Sequence, residues 1–250
     1  MFPIVHAKNM PAVDTSQMIE VDRAMIEDYG IALIQMMENA GRNLADLARK
    51  RFFEGAPVGK SVLVLAGRGG NGGGALVAAR RLANWGARIE IALAQAPDSL
   101  SPVAAHQLEI LKNMGVSGVS GEASISSLQA NDFDLILDGL IGYSLNGAPY
   151  GLTGDLIEFA NRCKAPIAAL DTPSGVDPAN GQCLDPSIRA TVTLTLALPK
   201  IGLLTGQIQA QTGELYLADI SVPPQLYEAS PLSLKVDPIF ADYDIVRILL

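Results

Sequence analysis

Hydrophobic and polar positions alternate with helix-like patterning over the first fifty residues; from Ser61 onward the apolar positions gather into short unbroken runs. Two helices are expected first, Thr15 to Tyr29, with Thr15 or Ser16 as its cap, and Ile31 to about Phe53, parted by Gly30. They precede any strand. Apolar runs then alternate with helical stretches: SVLVLA, a helix from Ala75 to Trp85, RIEIALA, a helix from Pro102 to Met114, DLILD, a helix from Gly154 to Arg162, and APIAALD. TVTLTLAL and GELYLADI read as two further strands. Runs such as Leu135-Ile136-Leu137 lack polar alternation, as strands covered on both faces do. The pattern is that of an α/β chain with a doubly wound, mostly parallel sheet. No repeat or linker divides it, so a single domain over residues 1–250 is expected, with no element assigned after Pro231.

Composition narrows the function. A chain of 250 residues can bury about three quarters of its unfolded surface, and 49% hydrophobic with 18% charged residues is a globular mixture. A net charge of −8 and a pI near 4.7 argue against nucleic acid and anionic membranes as partners. An anionic substrate would need backbone N–H groups or a bound cation. Cys163 and Cys183 form no C-x-x-C, which disfavours a disulfide framework or zinc site and makes a reducing, cytoplasmic setting the expectation. The start, MFPIVHAKNMP, has no basic region followed by a long apolar stretch, so no targeting segment or membrane span is expected. With only His6 and His106, histidine triads and multi-histidine metal sites are nearly excluded.

Four stretches carry candidate chemistry. LAGRGGNGGGALVAARRLANWG contains a G-x-G-x-x-G at Gly67, Gly69 and Gly72, after a strand and before a helix, where backbone N–H groups can receive a phosphate. A dinucleotide-binding dehydrogenase would carry an acid at the end of the next strand. Here Glu90 stands at the beginning of RIEIALA instead. A tight turn without ligand is the plainer alternative. DLILDGLIGYSLNGAPYG ends a strand in Asp138 and continues into a loop of glycines and small polar residues; Asp138 serves equally as a helix cap. AALDTPSGVDPANGQ ends another strand in Asp171 and turns at Pro173-Ser174-Gly175. Ser174 lacks the glycine and histidine of a nucleophile elbow and suits a cation or substrate better, or a simple Asp-Ser turn network. Two acid-ended strands beside a glycine loop make an oxygen-rich mouth for a hard cation. In LALPKIGLLTG, Lys200 follows an uncharged strand, where a surface lysine is the commoner case and a substrate-facing one the alternative.

In this order the four stretches resemble the YjeF N-terminal domain family, the NAD(P)H-hydrate epimerases, over about residues 15 to 228. MMENAG at Met36 to Gly41 is similar to the family's L-M-E-x-A-G, and ADISVP at Ala218 to Pro223 to its V-x-D-I-G-I-P. The resemblance implies a three-layer α/β/α Rossmann-like domain, commonly a homodimer, that interconverts the R and S epimers of hydrated NADH or NADPH for a separate dehydratase. It implies a potassium ion held by Asn71, Asp138 and Ser174, and substrate phosphates wrapped by Gly142, Tyr143, Ser144, Leu145, Asn146, Gly147 and Ala148. The glycine loop, Gly70, Asn71, Gly72, Gly73 and Gly74, is implied to border the substrate. Asp171 matches the substrate-contacting acid of D-I-P-S-G, here D-T-P-S-G, and Lys200 the lysine near the ring.

One departure stands out. The family's N-N-G-G-D-G is here Gly70-Asn71-Gly72-Gly73-Gly74-Ala75, so an Asn and an Asp are both replaced by glycine. Gly74 is expected to leave open space where relatives carry a carboxylate. The competing function class is a non-catalytic nucleotide-binding or dimerisation scaffold with a degenerate site. Retention of Asn71, Asp138, Asp171, Ser174 and Lys200 together favours an enzyme, with Asp171 transferring a proton and Lys200 assisting.

Overall fold

The computed structural model describes residues 2–116, 118–120, 125, 128 and 133–250. The strands are β1 (Ile4–His6), β2 (Ser61–Ala66), β3 (Arg88–Leu93), β4 (Gly118–Ser120), β5 (Leu135–Gly139), β6 (Ile167–Leu170), β7 (Val192–Leu196), β8 (Glu214–Ala218) and β9 (Ile245–Leu249). The α-helices are α1 (Thr15–Glu27), α2 (Leu33–Phe52), α3 (Gly70–Asn84), α4 (Pro102–Asn113), α5 (Gly151–Arg162), α6 (Gln209–Thr212) and α7 (Pro224–Glu228). One nine-stranded sheet runs in the order β1-β9-β8-β7-β6-β5-β2-β3-β4. Every neighbouring pair is parallel except β8 and β9.

Alternation within the central strands decides the layers. Val62, Val64 and Ala66 of β2 join Leu135 and Leu137 of β5 in a core with α1, α2, α3 and α4. Leu63, Leu65 and Ile136 turn to the other face and pack on Leu156, Ile157, Phe159 and Ala160 of α5. The result is the expected three-layer α/β/α arrangement with strands buried on both faces. The strand order reverses between β2, which continues to β3, and β5, which continues to β6. Ligands bind at such a switch point, beyond the carboxyl ends of the strands.

The structure corrects the sequence reading in three places. A strand precedes the helices: β1 is three residues long and exists by pairing with β9, which lies in the tail after Pro231, so neither was visible locally. The cap of α1 is Asp14, not Thr15 or Ser16; its carboxylate accepts from Gln17 N–H at 2.8 Å while Gln17 Oε1 accepts from Asp14 N–H at 3.0 Å, a full capping box. Helix α3 begins at Gly70 and not at Ala75, so the glycine run forms the helix's first turn instead of a loop ahead of it.

Packing explains that last difference. A Cβ on Gly72 would stand 1.9 Å from Gly67 O, one on Gly73 2.6 Å from Met37 Sδ, and one on Gly41 of α2 2.4 Å from Gly74 O. Helices α2 and α3 cross so closely that only glycine fits at the contact. Tertiary fit outweighs the roughly 1 kcal/mol that each helical glycine costs.

Candidate active site

Asp138, the fourth residue of β5, is fully buried. Its Oδ1 accepts from Ser174 Oγ at 2.6 Å and Leu140 N–H at 3.2 Å, and its Oδ2 from Ser174 N–H at 2.9 Å. It is therefore not a helix cap. Ser174 Oγ also accepts from Ile141 N–H at 2.9 Å, which ties the turn after β6 to the loop after β5. No lysine or arginine pairs with Asp138 among the described residues, and burial pushes its carboxyl up to about 6 despite the hydrogen bonds that favour the ion.

One strand along, Asp171 follows the end of β6 with φ +65°, a left-handed conformation that aspartate tolerates better than most residues. Lys200 Nζ donates to Asp171 Oδ1 at 2.5 Å and to Leu196 O at 2.9 Å, and the pair is almost wholly buried, Lys200 at 0% exposure and Asp171 at 3%. Lys200 is thus not a surface lysine. Val13 brackets it: Val13 N–H donates to Pro199 O and Ile201 N–H to Val13 O, so the segment before α1 fixes the lysine's backbone.

The other carboxylate oxygen, Asp171 Oδ2, accepts from Tyr143 N–H at 3.1 Å. At its far end Tyr143 donates its phenol proton to Asp22 Oδ2 on α1. Desolvation raises the Asp22 carboxyl, and burial with the Asp22 charge raises the Tyr143 phenol. One chain of contacts therefore runs from Lys200 through Asp171 and Tyr143 to Asp22.

These groups line a cavity of about 280 Å³ together with Met18 of α1, Met36, Met37 and Ala40 of α2, and Gly70 and Asn71 of α3. A wider groove of about 740 Å³ adjoins it, lined by Arg68, Gln95, the loop Ser144 to Tyr150 and the first turn of α5. Gly70, Asn71, Gly142 and Ser144 border both. Of the implied substrate loop, Tyr143 faces the cavity, Leu145, Asn146, Gly147 and Ala148 face the groove, and Gly142 and Ser144 face both. Gly72, Gly73 and Gly74 lie buried behind the walls, Gly72 against the backbone of Gly67, Gly73 against Met37 of α2 and Gly74 against Leu170 of β6. Gly74 does not leave open space: its Cβ position is 2.8 Å from Leu170 Cδ2, a methyl belonging to a residue of the cavity wall.

Asn71 borders both compartments with its Nδ2 buried and without a hydrogen-bond partner among the described residues, and its Cγ lies 3.3 Å from the Cβ position of Gly142. The carboxylate of Asp138, the hydroxyl of Ser174 and the amide oxygen of Asn71 are all hard oxygen donors, and the buried Asp138 has no cationic side chain of its own. Hard oxygen donors of this kind suit a hard cation; Asn71 lines both compartments, whereas Asp138 and Ser174 are buried and line neither.

Sequence reading missed Asp22, Met18 and the part played by the methionines. Asp22 had a signal, since it falls between Val21 and Met25 and one turn beyond Met18, all buried; a charged residue on a buried helix stripe asks for a reason. The MMENAG segment is also explained. Met36, Met37 and Ala40 wall the cavity, Glu38 receives Arg80 of α3 at 2.5 Å, and Gly41 permits the helix crossing. Asn43 donates to Asp219 O at 2.7 Å and Asn39 to Ile220 O at 3.5 Å, which pins the ADISVP segment to the same wall.

The family described as YjeF-related protein N-terminus matches residues 33–202. An NAD(P)H-hydrate epimerase of Dehalogenimonas lykanthroporepellens is 41% identical over 97% of this chain and 95% of its own length. A bifunctional NAD(P)H-hydrate repair enzyme of Moorella thermoacetica is 36% identical over 87% of this chain, which spans 42% of that relative. The crystal structure of the yeast protein YNL200c superposes with a TM-score of 0.80 at 24% identity, over 95% of this chain and 100% of the other. No helix among the described residues is long and apolar enough to cross a membrane.

Proposed function

The chain belongs to the YjeF-related protein N-terminus family, and on that premise we propose that it interconverts the R and S epimers of hydrated NADH and NADPH. The observation that carries the reading is the buried Lys200–Asp171 pair in the wall of a ring-sized cavity that opens into a long groove. The cavity takes the hydrated nicotinamide and the groove the rest of the dinucleotide, with Gly142 to Ala148 along the phosphates and Asn71 Nδ2 available to a phosphate oxygen.

In the hydrated ring, the nitrogen lone pair expels hydroxide from the neighbouring carbon and leaves a planar cation that water attacks from either face. Asp171 exchanges a proton with the departing or arriving oxygen, and Lys200 holds its carboxylate in place. A positioned acid–base group of this kind is worth roughly 10² to 10⁴ in rate. The methionine-rich wall keeps bulk water from the cation. Asn71, Asp138 and Ser174 would hold a potassium ion, which when bound supplies positive charge near the pyrophosphate of a substrate meeting an acidic protein. Bifunctional relatives support coupling to a dehydratase, and we take the active form to be a homodimer.

The test uses a mixture of hydrated NADH epimers and a dehydratase strict for the S form. Alone, the dehydratase stops when the S epimer is gone; with this protein added, consumption runs to completion. Persistence of the R epimer overturns the reading.

A further inference from the structure

Epimerisation makes a demand that one carboxylate does not meet. Hydroxide leaves from one face of the ring and water returns to the other, so a proton donor is needed on the first face and an acceptor on the second. Asp171 and Lys200 sit at the sheet edge and serve one face. We infer that Asp22 of α1 is the second acid–base residue of this reaction, acting on the ring face opposite Asp171. The inference rests on the epimerase reading given above.

Three observations carry it. Asp22 and Met18, one turn apart on α1, line the same cavity as Asp171, Leu170 and Lys200 of the sheet edge, so carboxylates enter from a helix and from the strand ends. Tyr143 bridges them, its N–H on Asp171 Oδ2 and its phenol on Asp22 Oδ2. The two carboxyls are thus held about one tyrosine apart on the wall of the cavity that both of them line. Inverting glycosidases place an acid and a base on opposite faces of a sugar carbon in the same manner, with carboxyls about 6.5–9.5 Å apart. Finally, Asp22 has no lysine or arginine partner among the described residues, and desolvation raises its carboxyl from the ordinary value, the direction that suits an acid for departing hydroxide. Tyr143 holds Oδ2 and leaves Oδ1 to carry the proton.

The step balances. The ring nitrogen's lone pair forms the C=N bond as the C–O bond breaks, and the departing oxygen takes that electron pair together with the Asp22 proton, leaving as water. A second water attacks the carbon from the Asp171 face, the C=N pair returns to nitrogen, and the water's proton passes to Asp171. The enzyme then holds its proton on Asp171, the state needed for the opposite epimer, and solvent exchange resets it.

The test separates loss of hydroxide from change of face. Each purified epimer is incubated briefly in ¹⁸O-water with wild type or Asp22→Asn, and label is measured in recovered substrate and in product, with melting temperature and substrate affinity as folding controls. Asp22→Asn is expected to lower epimerisation ~10²-fold or more, while the epimer whose hydroxyl faces Asp171 still exchanges its oxygen. Asp22→Glu recovers part of the epimerisation. A folded Asp22→Asn that epimerises at the wild-type rate, or that loses exchange and epimerisation in equal proportion for both epimers, overturns the inference. Should Asp22→Asn not fold, Asp22→Glu decides: an exchange-to-epimerisation ratio above wild type supports the inference and an unchanged ratio overturns it. An inactive wild type defeats the epimerase reading itself and is seen first.

Discussion

Asp138 and Asp171 end neighbouring strands of one sheet and are both buried, yet the protein compensates them by different means. Asp171 has an internal cation, Lys200, at 2.5 Å. Asp138 has only neutral donors, Ser174 and Leu140, and its carboxyl rises to about 6. The first site is electrically complete when the chain folds. The second is complete only with a proton or an ion from solution, which is the physical reason for proposing a cation at Asp138 and not at Asp171.

The largest effect should come from removing the internal cation. Lys200→Met strands a buried carboxylate and is expected to cost about 3–5 kcal/mol in urea unfolding. Adding Asp171→Asn should return most of that stability, because asparagine accepts the left-handed backbone at this position, while turnover stays ~10² or more below wild type. A double variant no more stable than Lys200→Met would mean that the pair's charges are not what matters.

Asp138 predicts a pH effect of the opposite kind. Its folded pKa lies above the ordinary 3.8, so its contribution to stability is full below that value and is lost as pH rises through about 6. The loss comes to about 3 kcal/mol once the carboxylate is fully ionised. Potassium should restore it: unfolding midpoints in potassium and in a bulky-cation buffer coincide near pH 4 and separate above pH 6. Equal midpoints at pH 7.5 would remove the cation from this site.

A third carboxylate sharpens the contrast. Gly74→Asp drives Leu170 Cδ2 toward the cavity, since the new Cβ stands 2.8 Å from it, and overpacking of this sort costs roughly 1–3 kcal/mol. The helix-dipole gain of about 0.3–1 kcal/mol does not offset that, so Gly74→Asp should melt lower and bind dinucleotide more weakly; pairing it with Leu170→Ala should recover binding. Smaller still is Ser174→Ala, which leaves Ile141 N–H and Asp138 each short of a partner at about 1–2 kcal/mol and, by removing one of the proposed ligands, should raise the potassium concentration needed to stabilise the fold.

Much of this was legible in the chain. Central strands announce themselves because burial on both faces forces unbroken apolar runs, and Asp138 and Asp171 stand out as the charges that end them. The glycine run was legible as a site marker but not as a helix, because its conformation is set by Met37, Leu170 and Gly67 lying too near for any side chain. Strand β1 escaped because it is three residues long and depends on β9, about 240 residues away in sequence, and β9 because it is held by pairing with β1 and β8. Lys200 was singled out, yet only the packing of Val13 and Leu196 around it shows that it is buried. Asp22 was passed over because a single acid on an amphipathic helix resembles any solvated position until the loop that meets it is folded into place.

The ion pair also bears on how such sites change under drift. If losing either Asp171 or Lys200 alone undermines the fold, selection for a folded protein preserves both, whether or not the reaction is still under selection. Asp22 of α1 and Tyr143 of the loop after β5 meet through one side-chain hydrogen bond and no buried ion pair, so replacing Asp22 costs the fold less. In lineages where the reaction has lapsed, the first residue to vary should be Asp22.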